Sequence, residues 1–232
     1  MGKKYYGSVY GAPYQRFRYL IKYLNNYYND EKFKILIPND KDGQHVLDSV
    51  RRGYEVDTYE TNKIFVNGGT IDNFYLVGLK EKLRYFNMNE KVNIYEKNFY
   101  EQRVEKKYNF VYCYKSLHLF DNSHISMDKK IKKLLSSVKK DGFIYIYYHL
   151  SKNKLDYRTY PKHQYLRKGE MIKYFKKNWD IIFIKEDNNE AIDFPHPYNN
   201  INHTHLVGHI FARKKDNKNY DYFYNISSLN EW

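Results

Sequence analysis

The chain of 232 residues contains little cysteine or proline and no long apolar run. Cys113 is its only cysteine, which excludes an internal disulfide and a zinc site built of thiolates, and its apolar neighbours in FVYCY predict an inert, buried thiol. No stretch reaches the roughly 18 consecutive apolar residues of a membrane-spanning helix, and the start of the chain lacks the apolar centre of a signal peptide. We therefore expect one cytoplasmic domain over residues 1–232, because this length suits one full-sized core and is short for two.

Positive charge is in excess, with a formal net charge of +13. Clustered Lys and Arg release counterions from a phosphate backbone, so nucleic acid is one partner that this charge favours. The lysines are scattered over several predicted helices, however, and Lys, Asn, Tyr and Ile are abundant together, as an AT-rich coding sequence produces. The run MDKKIKKLLSSVKK has its apolar residues on one side of an amphipathic helix, so we interpret its lysines as a solvated face.

Strand-like and helix-like segments alternate along the chain. Short apolar or β-branched runs predict strands at about 34–37, 54–60, 91–99, 108–114, 142–150, 179–186 and 205–215. Helical spacing of apolar residues predicts helices at about 14–28, 46–52, 71–87, 124–139 and 169–178. Strands separated by helices imply right-handed crossovers and a parallel sheet, and the last two strands, joined only by a loop, imply an antiparallel hairpin. The predicted fold class is therefore α/β: a Rossmann-like, doubly wound, seven-stranded, mostly parallel sheet with helices on both faces. Residues 1–30 are expected to form a helical lid and residues 216–232 a peripheral tail.

The loop after the first strand, at residues 38–43, is the predicted ligand site. Open parallel sheets bind ligands outside the carboxyl ends of their strands, where the chain order reverses. Glycine is favoured there because it lets backbone amides approach the ligand, yet the loop PNDKDG has only Gly43. Glu60 closes the second strand, where a carboxylate can accept hydrogen bonds from both hydroxyls of a ribose.

The segment ILIPNDKDGQHVLDSVRRGYEVDTYE, together with SLHLF after the fourth strand, resembles class I S-adenosylmethionine-dependent methyltransferases. Within them it is similar to the branch of thiopurine and tellurite-resistance enzymes, which act on small molecules, and the resemblance spans residues 30–215. Aligned on that family's glycine loop, Asn39 and Lys41 stand at the first two glycine positions, and Ile37 stands where an acid is common. The resemblance implies that S-adenosylmethionine is bound by Pro38, Asn39, Asp40, Lys41, Gly43, Glu60, Asn98, Phe99, Tyr114 and Lys115. Asn98 would accept a hydrogen bond from the adenine amine, and Phe99 would pack on the adenine ring.

The acceptor side of the site is less defined by the sequence. Methyl transfer from a sulfonium is a direct displacement that requires alignment and exclusion of water, and it needs a general base only if the acceptor must lose a proton. Candidate catalytic residues are Tyr14, His118 and His149, and candidate substrate-binding residues are Arg18, His196, His203 and His205. His118 has an equally good alternative role, that of capping the turn in which it lies. The histidines of HTHLVGHIF share one strand face, but the interval between His205 and His209 is too long for one compact metal site, so no metal is expected.

Three functions remain open at this point. The first is methyl transfer to a small molecule, and the second is methyl transfer to nucleic acid, which the charge motivates. The third is a cofactor-fold protein that has lost methyl transfer and serves as a binding subunit or degrades the cofactor, which the missing glycines motivate. If Asn39 and Lys41 replace glycines in a working site, we expect the loop backbone to use φ and ψ values that are open to ordinary residues.

Overall fold

The computed structural model describes residues 5–71, 74–118, 124–151, 165–175, 178–187, 191–193 and 203–216. The chain divides into two compact units, Met1–Tyr112 and Cys113–Trp232. The predicted single domain therefore stays a prediction, and the predicted tail lies, apart from its first residue, outside the described residues.

The first unit is built on a parallel sheet. Its elements are α1 (Gln15–Tyr27), β1 (Lys34–Pro38), α2 (Gln44–Arg51), β2 (Glu55–Tyr59), α3 (Lys63–Asn67), β3 (Gly69–Ile71), β4 (Phe74–Leu76), α4 (Leu79–Tyr85), β5 (Val92–Tyr95) and β6 (Tyr108–Cys113). β1 lies between β2 and β6, and β5 pairs with the outer side of β2, all in parallel. The run Ile35–Ile37 is buried, as expected of a central parallel strand covered on both faces. The carboxyl ends of β1, β2 and β5 consequently lie along one edge of this sheet.

The predicted helix over 71–87 is wrong in its first half. β3 and β4 pair antiparallel in that region, and only Leu79–Tyr85 is helical. The physical reason is a close backbone approach at Gly78, where an added Cβ would lie 2.1 Å from the backbone nitrogen of Gly68. Two glycines allow the chain to fold back into a small hairpin before α4 begins.

The second unit has a long antiparallel ladder. Its elements are α5 (Met127–Ser137), β7 (Val138–Leu150), β8 (Tyr165–Leu166), β9 (Trp179–Glu186), β10 (Ala191–Asp193) and β11 (His203–Lys214). β11 pairs antiparallel with β7, β9 and β10, and β8 pairs in parallel with β7. The predicted helix at 169–178 is wrong: among its described residues only Met171–Tyr174 are helical, in a 3-10 turn. Phe175 leaves the helical conformation, with φ of −102° and ψ of 53°, and so ends the turn.

Tyrosine is a core residue in both units. Tyr54, Tyr108, Tyr112, Tyr145 and Tyr148 are among the largest fully buried side chains. Cys113 is buried with them, as its apolar neighbours predict. The predicted Rossmann-like α/β fold class is confirmed: the described residues form a mostly parallel central sheet, antiparallel C-terminal strands and accompanying helices. No helix in the described ranges is long and apolar enough to cross a membrane.

Candidate functional site

The loop between β1 and α2 has a left-handed backbone at three alternating residues. The φ angle is +62° at Asn39, +53° at Lys41 and +89° at Gly43. The ordinary φ values that we expected if Asn39 and Lys41 belong to a working site are therefore not found, because both residues adopt the conformation that glycine favours. A left-handed conformation costs an L-residue about 1–2 kcal/mol, although Asn tolerates it better than most. The loop thus keeps the backbone shape of a glycine loop without its glycines, and other contacts must hold it there.

Asp40 supplies one of those contacts. Its Oδ2 accepts hydrogen bonds from the backbone N–H groups of His45, at 2.8 Å, and Val46, at 2.7 Å. Its Oδ1 lies 2.6 Å from His45 Nδ1. The carboxylate thereby satisfies the otherwise unpaired donors at the start of α2 and complements the helix dipole. Asp40 shapes the loop from within, and its direct contact with a cofactor stays a prediction.

A buried ion pair between Asp42 and Lys82 supplies the second contact. Both side chains are fully buried, with Lys82 Nζ at 2.8 Å from Asp42 Oδ2, and the ammonium also donates to the Asp42 carbonyl at 3.1 Å. The same carboxylate accepts hydrogen bonds from Ser8 Oγ at 2.6 Å and from the Val9 N–H at 2.8 Å. One carboxylate therefore joins the loop to α4 and to the N-terminal segment. Sequence reasoning assigned no role to Asp42 within the predicted loop and missed Lys82, because the two residues are 40 positions apart and Lys82 belongs to no motif.

Glu60 lies directly beyond β2 and faces the loop. Its Oε2 accepts a hydrogen bond from the Lys41 N–H at 3.1 Å, and its Oε1 accepts one from the Asn62 N–H at 2.9 Å. The residue is only 3% exposed, and burial raises the pKa of its carboxyl group to about 7, with backbone hydrogen bonds from Asn62, Lys41 and Thr61 acting in the opposite direction. A carboxylate has about four lone-pair sites, so these three donors leave one site for a further donor. Glu60 therefore lies at the tip of β2, as predicted, and its contact with a ribose stays a prediction.

Asp57, a buried carboxylate within β2, has a different role from Glu60. Burial acts to raise its pKa, but hydrogen bonds from Asn93 at 2.7 Å and Tyr108 at 2.8 Å, together with Lys34 at 3.2 Å, hold the pKa below its ordinary value. All of these partners belong to strands of the same sheet. Asp57 is consequently part of the sheet interior, whereas Glu60 lies at its edge.

The N-terminal segment, residues 5–14, lies against the loop. Gln44 Nε2 donates to the carbonyl oxygens of Tyr10, at 3.0 Å, and Ala12, at 2.6 Å. The Lys41 ammonium lies 4.2 Å from the centroid of the Tyr10 ring, a cation–π contact. Residues 8–12 of the predicted lid therefore contact the loop and the start of α2. Tyr14 precedes α1 and is 40% exposed, and Arg18 is on the exposed side of α1, so their predicted roles toward a substrate stay predictions.

Asn98 and Phe99 follow β5, as predicted. Asn98 Oδ1 accepts a hydrogen bond from the Tyr100 N–H at 3.0 Å and so caps a 3-10 helix at Phe99–Glu101. Phe99 is buried with its ring against Tyr59, at 5.2 Å between centroids. The amide oxygen keeps a second lone pair for an adenine amine. Pro38 is the buried last residue of β1.

In the second unit, three imidazole rings form a stack that we call the histidine column: His118, His149 and His205. The His149 ring lies 3.6 Å from His118, at an interplanar angle of 14°, and 4.0 Å from His205, at 23°. Two rings cannot cover the same face of one imidazole, so His149 lies between the others. The structure thus brings together three of the residues predicted for the acceptor side. His196 and the side chain of His203 lie outside the described residues.

The turn after β6 carries Tyr114, Lys115 and His118. The Tyr114 ring packs against Tyr147, at 5.1 Å, and Lys115 lies over Tyr114, at 5.8 Å. Lys130 on α5 is fully buried and donates to the carbonyl of Leu117 at 2.6 Å, which fixes this turn. Burial lowers the pKa of Lys130 to about 8. The interpretation of the α5 lysines as a solvated face is therefore wrong for Lys130.

Metal binding finds no support in the part of the chain that the structure describes. No group of three or more His, Cys, Asp or Glu side chains there is arranged to hold a metal ion. The rings of the histidine column are stacked face to face, whereas metal ligands must point their nitrogens at one common centre.

Comparison with known proteins identifies this fold. No protein-family model matches the chain, and no curated protein does. TehB from Haemophilus influenzae matches 84% of the chain with a TM-score of 0.60 and 16% identity. A 1,6-didemethyltoxoflavin N1-methyltransferase from Burkholderia thailandensis matches 87% of the chain and 79% of its own length, with a TM-score of 0.51 and 13% identity. Magnesium protoporphyrin IX methyltransferase from Synechocystis matches 87% of the chain and 79% of its own length, with a TM-score of 0.53 and 10% identity.

These likenesses show the fold that the chain shares with S-adenosylmethionine-dependent methyltransferases. The chain spans 62% of the length of TehB. The sequence resemblance to that fold group was therefore correct, and the loop and Glu60 lie at the sheet edge where an open parallel sheet binds its ligand.

Proposed function

We propose that the chain is an S-adenosylmethionine-dependent methyltransferase that acts on a small-molecule acceptor. The observation that carries this proposal is the left-handed loop at Asn39, Lys41 and Gly43, hydrogen-bonded to Glu60 through the Lys41 N–H. This arrangement places a buried carboxylate at the carboxyl ends of adjacent parallel strands. It fits a nucleoside whose ribose hydroxyls donate to an acid.

The chain's own side chains fit the remaining parts of the cofactor. Glu60 accepts the ribose hydroxyls, and the Asn98 amide oxygen accepts the adenine amine. Lys41 pairs with the methionine carboxylate, since an ammonium on a flexible stem can supply the charge that glycine amides alone would supply. That pairing draws the ammonium away from the ring of Tyr10, on which it lies in this structure. The bound cofactor supplies a methyl group activated by a sulfonium, and the protein has to align the acceptor with it and exclude water.

A small acceptor is supported by the neighbouring folds. The Burkholderia enzyme was solved with 1,6-didemethyltoxoflavin and S-adenosylhomocysteine, and the Synechocystis enzyme with S-adenosylmethionine. Both match the chain over most of their own length, so the shared part includes most of each small-molecule enzyme.

Isothermal titration calorimetry with S-adenosylmethionine and S-adenosylhomocysteine tests the proposal. Glu60→Ala should weaken binding by about 1.5–3 kcal/mol, the range for lost hydrogen bonds to a charged group. Glu55→Ala is the matched control, because Glu55 is an exposed acid at the opposite end of the same strand. The control should bind like the wild type. Absence of binding to either compound by the wild type would overturn the proposal, and equal affinity in a folded Glu60→Ala variant would mean that the ribose lies elsewhere.

Nucleic acid as the acceptor is the second candidate, and the net charge of +13 favours it. Binding through phosphates would weaken steeply as salt rises from low to physiological concentration, with a slope that counts the phosphate contacts. Failure to bind RNA or DNA at low salt would remove this candidate.

Loss of methyl transfer is the third candidate, and the non-glycine residues of the loop favour it. Replacing Asn39 and Lys41 with glycine tests it directly. A clear gain in affinity and in methyl transfer would identify the natural loop as a disabled site, whereas a loss of affinity supports the proposed role of Lys41.

A further inference from the structure

We infer that residues 8–12, which we call the N-terminal strap, form an autoinhibitory gate over the cofactor site, and that Tyr10 closes it. The Tyr10 ring holds the Lys41 ammonium that the methionine carboxylate of the cofactor would otherwise take, so the cofactor enters when the ring leaves. This assignment rests on the proposed function, because the strap controls access to the same site.

The strap is fastened to the loop and to the start of α2 on both sides of Tyr10. On one side, the Asp42 carboxylate accepts hydrogen bonds from the hydroxyl of Ser8, at 2.6 Å, and from the next backbone N–H group, at 2.8 Å. On the other side, Gln44 Nε2 lies 2.6 to 3.3 Å from the three carbonyl oxygens of residues 10–12. The position of the Tyr10 ring is therefore fixed by the strap rather than by chance.

The Tyr10 ring bridges the two elements between which Glu60 lies. Its centroid is 4.2 Å from the Lys41 ammonium of the loop and 6.1 Å from the Phe65 ring of α3. Glu60 accepts backbone hydrogen bonds from the same two sides, at 3.1 Å from Lys41 and at 2.9 Å from Asn62. One aromatic ring therefore spans the gap that holds the proposed ribose contact.

A ligand reaches Glu60 only if part of its surroundings moves. The residue is 3% exposed, and three backbone N–H groups already donate to its carboxylate. A carboxylate has about four lone-pair sites, so one remains for a ribose hydroxyl. At 3% exposure that site has no open path to the solvent, and a cover has to be displaced first.

The strap is the part of these surroundings that is best able to move. The loop is held by the fully buried pair of Asp42 and Lys82, and Phe65 is buried at 6% exposure. Tyr10, in contrast, is half-buried and is followed by the exposed Gly11. Gly11 has a φ of +82°, and a Cβ added to it would meet nothing within 4 Å. A glycine turn in open space allows the backbone rotation that swings the neighbouring ring away.

The ring and the cofactor compete for one cation. The ammonium of Lys41 is attracted to the negative face of the Tyr10 ring. A carboxylate attracts an ammonium more strongly, because it carries a full charge and accepts charge-assisted hydrogen bonds. The methionine carboxylate would therefore draw the ammonium off the ring. Closure of the strap and binding of the cofactor exclude each other, which makes the contact autoinhibitory.

The expected effect follows from the fraction of molecules with an open strap. When only a fraction of the protein is competent to bind, the apparent dissociation constant is the intrinsic one divided by that fraction. A cation–π contact at a partly exposed site shifts such an equilibrium by a factor of about two to five. Loss of the ring should therefore lower the dissociation constant by that factor, through a faster association.

Surface plasmon resonance with S-adenosylhomocysteine on the immobilised chain measures both rate constants. Tyr10→Leu, which removes the ring and keeps an apolar side chain, should associate about two- to fivefold faster with an unchanged dissociation rate. Tyr10→Phe keeps the ring and should behave like the wild type. Gln44→Met releases the strap carbonyls and should also speed association. Val9→Ala is the control at an exposed neighbour that keeps its backbone hydrogen bond, and it should change neither rate.

Two results of these rate measurements would overturn the gate. The first is an association rate in Tyr10→Leu that equals the wild-type rate or is slower, since the ring would then be neutral or helpful to binding. The second is a Tyr10→Phe variant that associates as fast as Tyr10→Leu, since the hydroxyl and not the ring face would then hold the strap.

Nuclear magnetic resonance of lysine side chains tests the contact itself. In the free wild type, the Tyr10 ring should shift the ε-methylene protons of Lys41 upfield, and Tyr10→Leu should remove that shift. Saturating S-adenosylhomocysteine should remove it from the wild type as well. Lys41→Met identifies the resonance by its absence. A Lys41 resonance that stays shifted in the complex would overturn the competition between ring and cofactor.

The outcomes separate the gate from the proposed function. Binding of S-adenosylhomocysteine by the wild type, with equal association rates in all variants, removes the gate and leaves the methyltransferase standing. Absence of binding by the wild type, Tyr10→Leu and Gln44→Met removes the proposed function and the gate with it. Binding by Tyr10→Leu and Gln44→Met alone supports both.

Discussion

Lys82→Met breaks the buried ion pair that holds the loop, and we expect it to change both stability and cofactor affinity. Met is close to Lys in size and removes only the ammonium. Asp42 would then be buried without its counter-ion, although the Ser8 hydroxyl and the Val9 N–H would still donate to it. Breaking a buried pair costs about 3–5 kcal/mol, and these two remaining donors place the expected loss of unfolding free energy near the lower end, about 3 kcal/mol.

The effect on affinity follows from the strained loop. The left-handed conformations of Asn39 and Lys41 are retained because surrounding contacts hold them, at about 1–2 kcal/mol for each L-residue. Without the pair the loop can relax to ordinary φ values and withdraw the Lys41 N–H from Glu60. We expect S-adenosylhomocysteine to bind at least tenfold more weakly to Lys82→Met. Asn39→Gly/Lys41→Gly removes the strain, so Lys82→Met should cost clearly less affinity in that background.

The assays are urea denaturation for the unfolding free energy and calorimetry for the dissociation constant, on the four members of this cycle. Lys80→Met, on the exposed side of α4, is the matched control and should change neither quantity by more than a small amount. An affinity loss of the same size in both loop backgrounds would refute the claim that the pair acts through loop strain. An unchanged unfolding free energy in Lys82→Met would refute the buried pair itself.

Further predictions concern pH and charge. Burial raises the pKa of Glu60 from 4.5 to about 7, so the stability that its protonated form provides is complete below pH 4.5 and is lost as pH rises through about 7. Chemical denaturation should therefore show that the unfolding free energy of Glu60→Gln depends less on pH across that window than that of the wild type. Ribose hydroxyls favour the ionised carboxyl, so calorimetry in two buffers should detect proton release on S-adenosylhomocysteine binding near pH 7, and Glu60→Gln should abolish it. Burial lowers the pKa of Lys130 from 10.5 to about 8, so the charged form destabilises the fold below pH 8. As pH rises from about 8 toward 10.5, the unfolding free energy of the wild type should therefore increase relative to that of Lys130→Met. Asn39→Gly/Lys41→Gly should keep its circular dichroism spectrum but bind S-adenosylmethionine about tenfold more weakly through the lost charge, and a tighter complex would contradict the role of Lys41.

The sheet edge was predictable because its signals are local. A buried run such as KILI can form a central strand, and a helix stopped by Gly53 must lead into the next strand, so the sequence alone places Glu60 at the tip of β2. The seven predicted strands correspond to β1, β2, β5, β6, β7, β9 and β11.

The contacts that shape the site were not predictable, because they join residues far apart in the chain. Nothing in the sequence links Asp42 to Lys82, 40 residues away, although folding buries the two side chains together. A positive φ is unfavourable for lysine, so the sequence predicted an ordinary, negative φ for Lys41, and the structure differs. The histidine column depends on a turn and two strands, and parity along β11 predicted only that His203, His205 and His209 share a face.

A crystal structure of the complex with S-adenosylhomocysteine tests the central claim most directly. The account predicts that both ribose hydroxyls lie within hydrogen-bonding distance of the Glu60 carboxylate, with the adenine amine on Asn98 and the loop at Asn39–Gly43 still left-handed. An adenosine bound away from Glu60, or a loop that changes to ordinary φ values on binding, would contradict it.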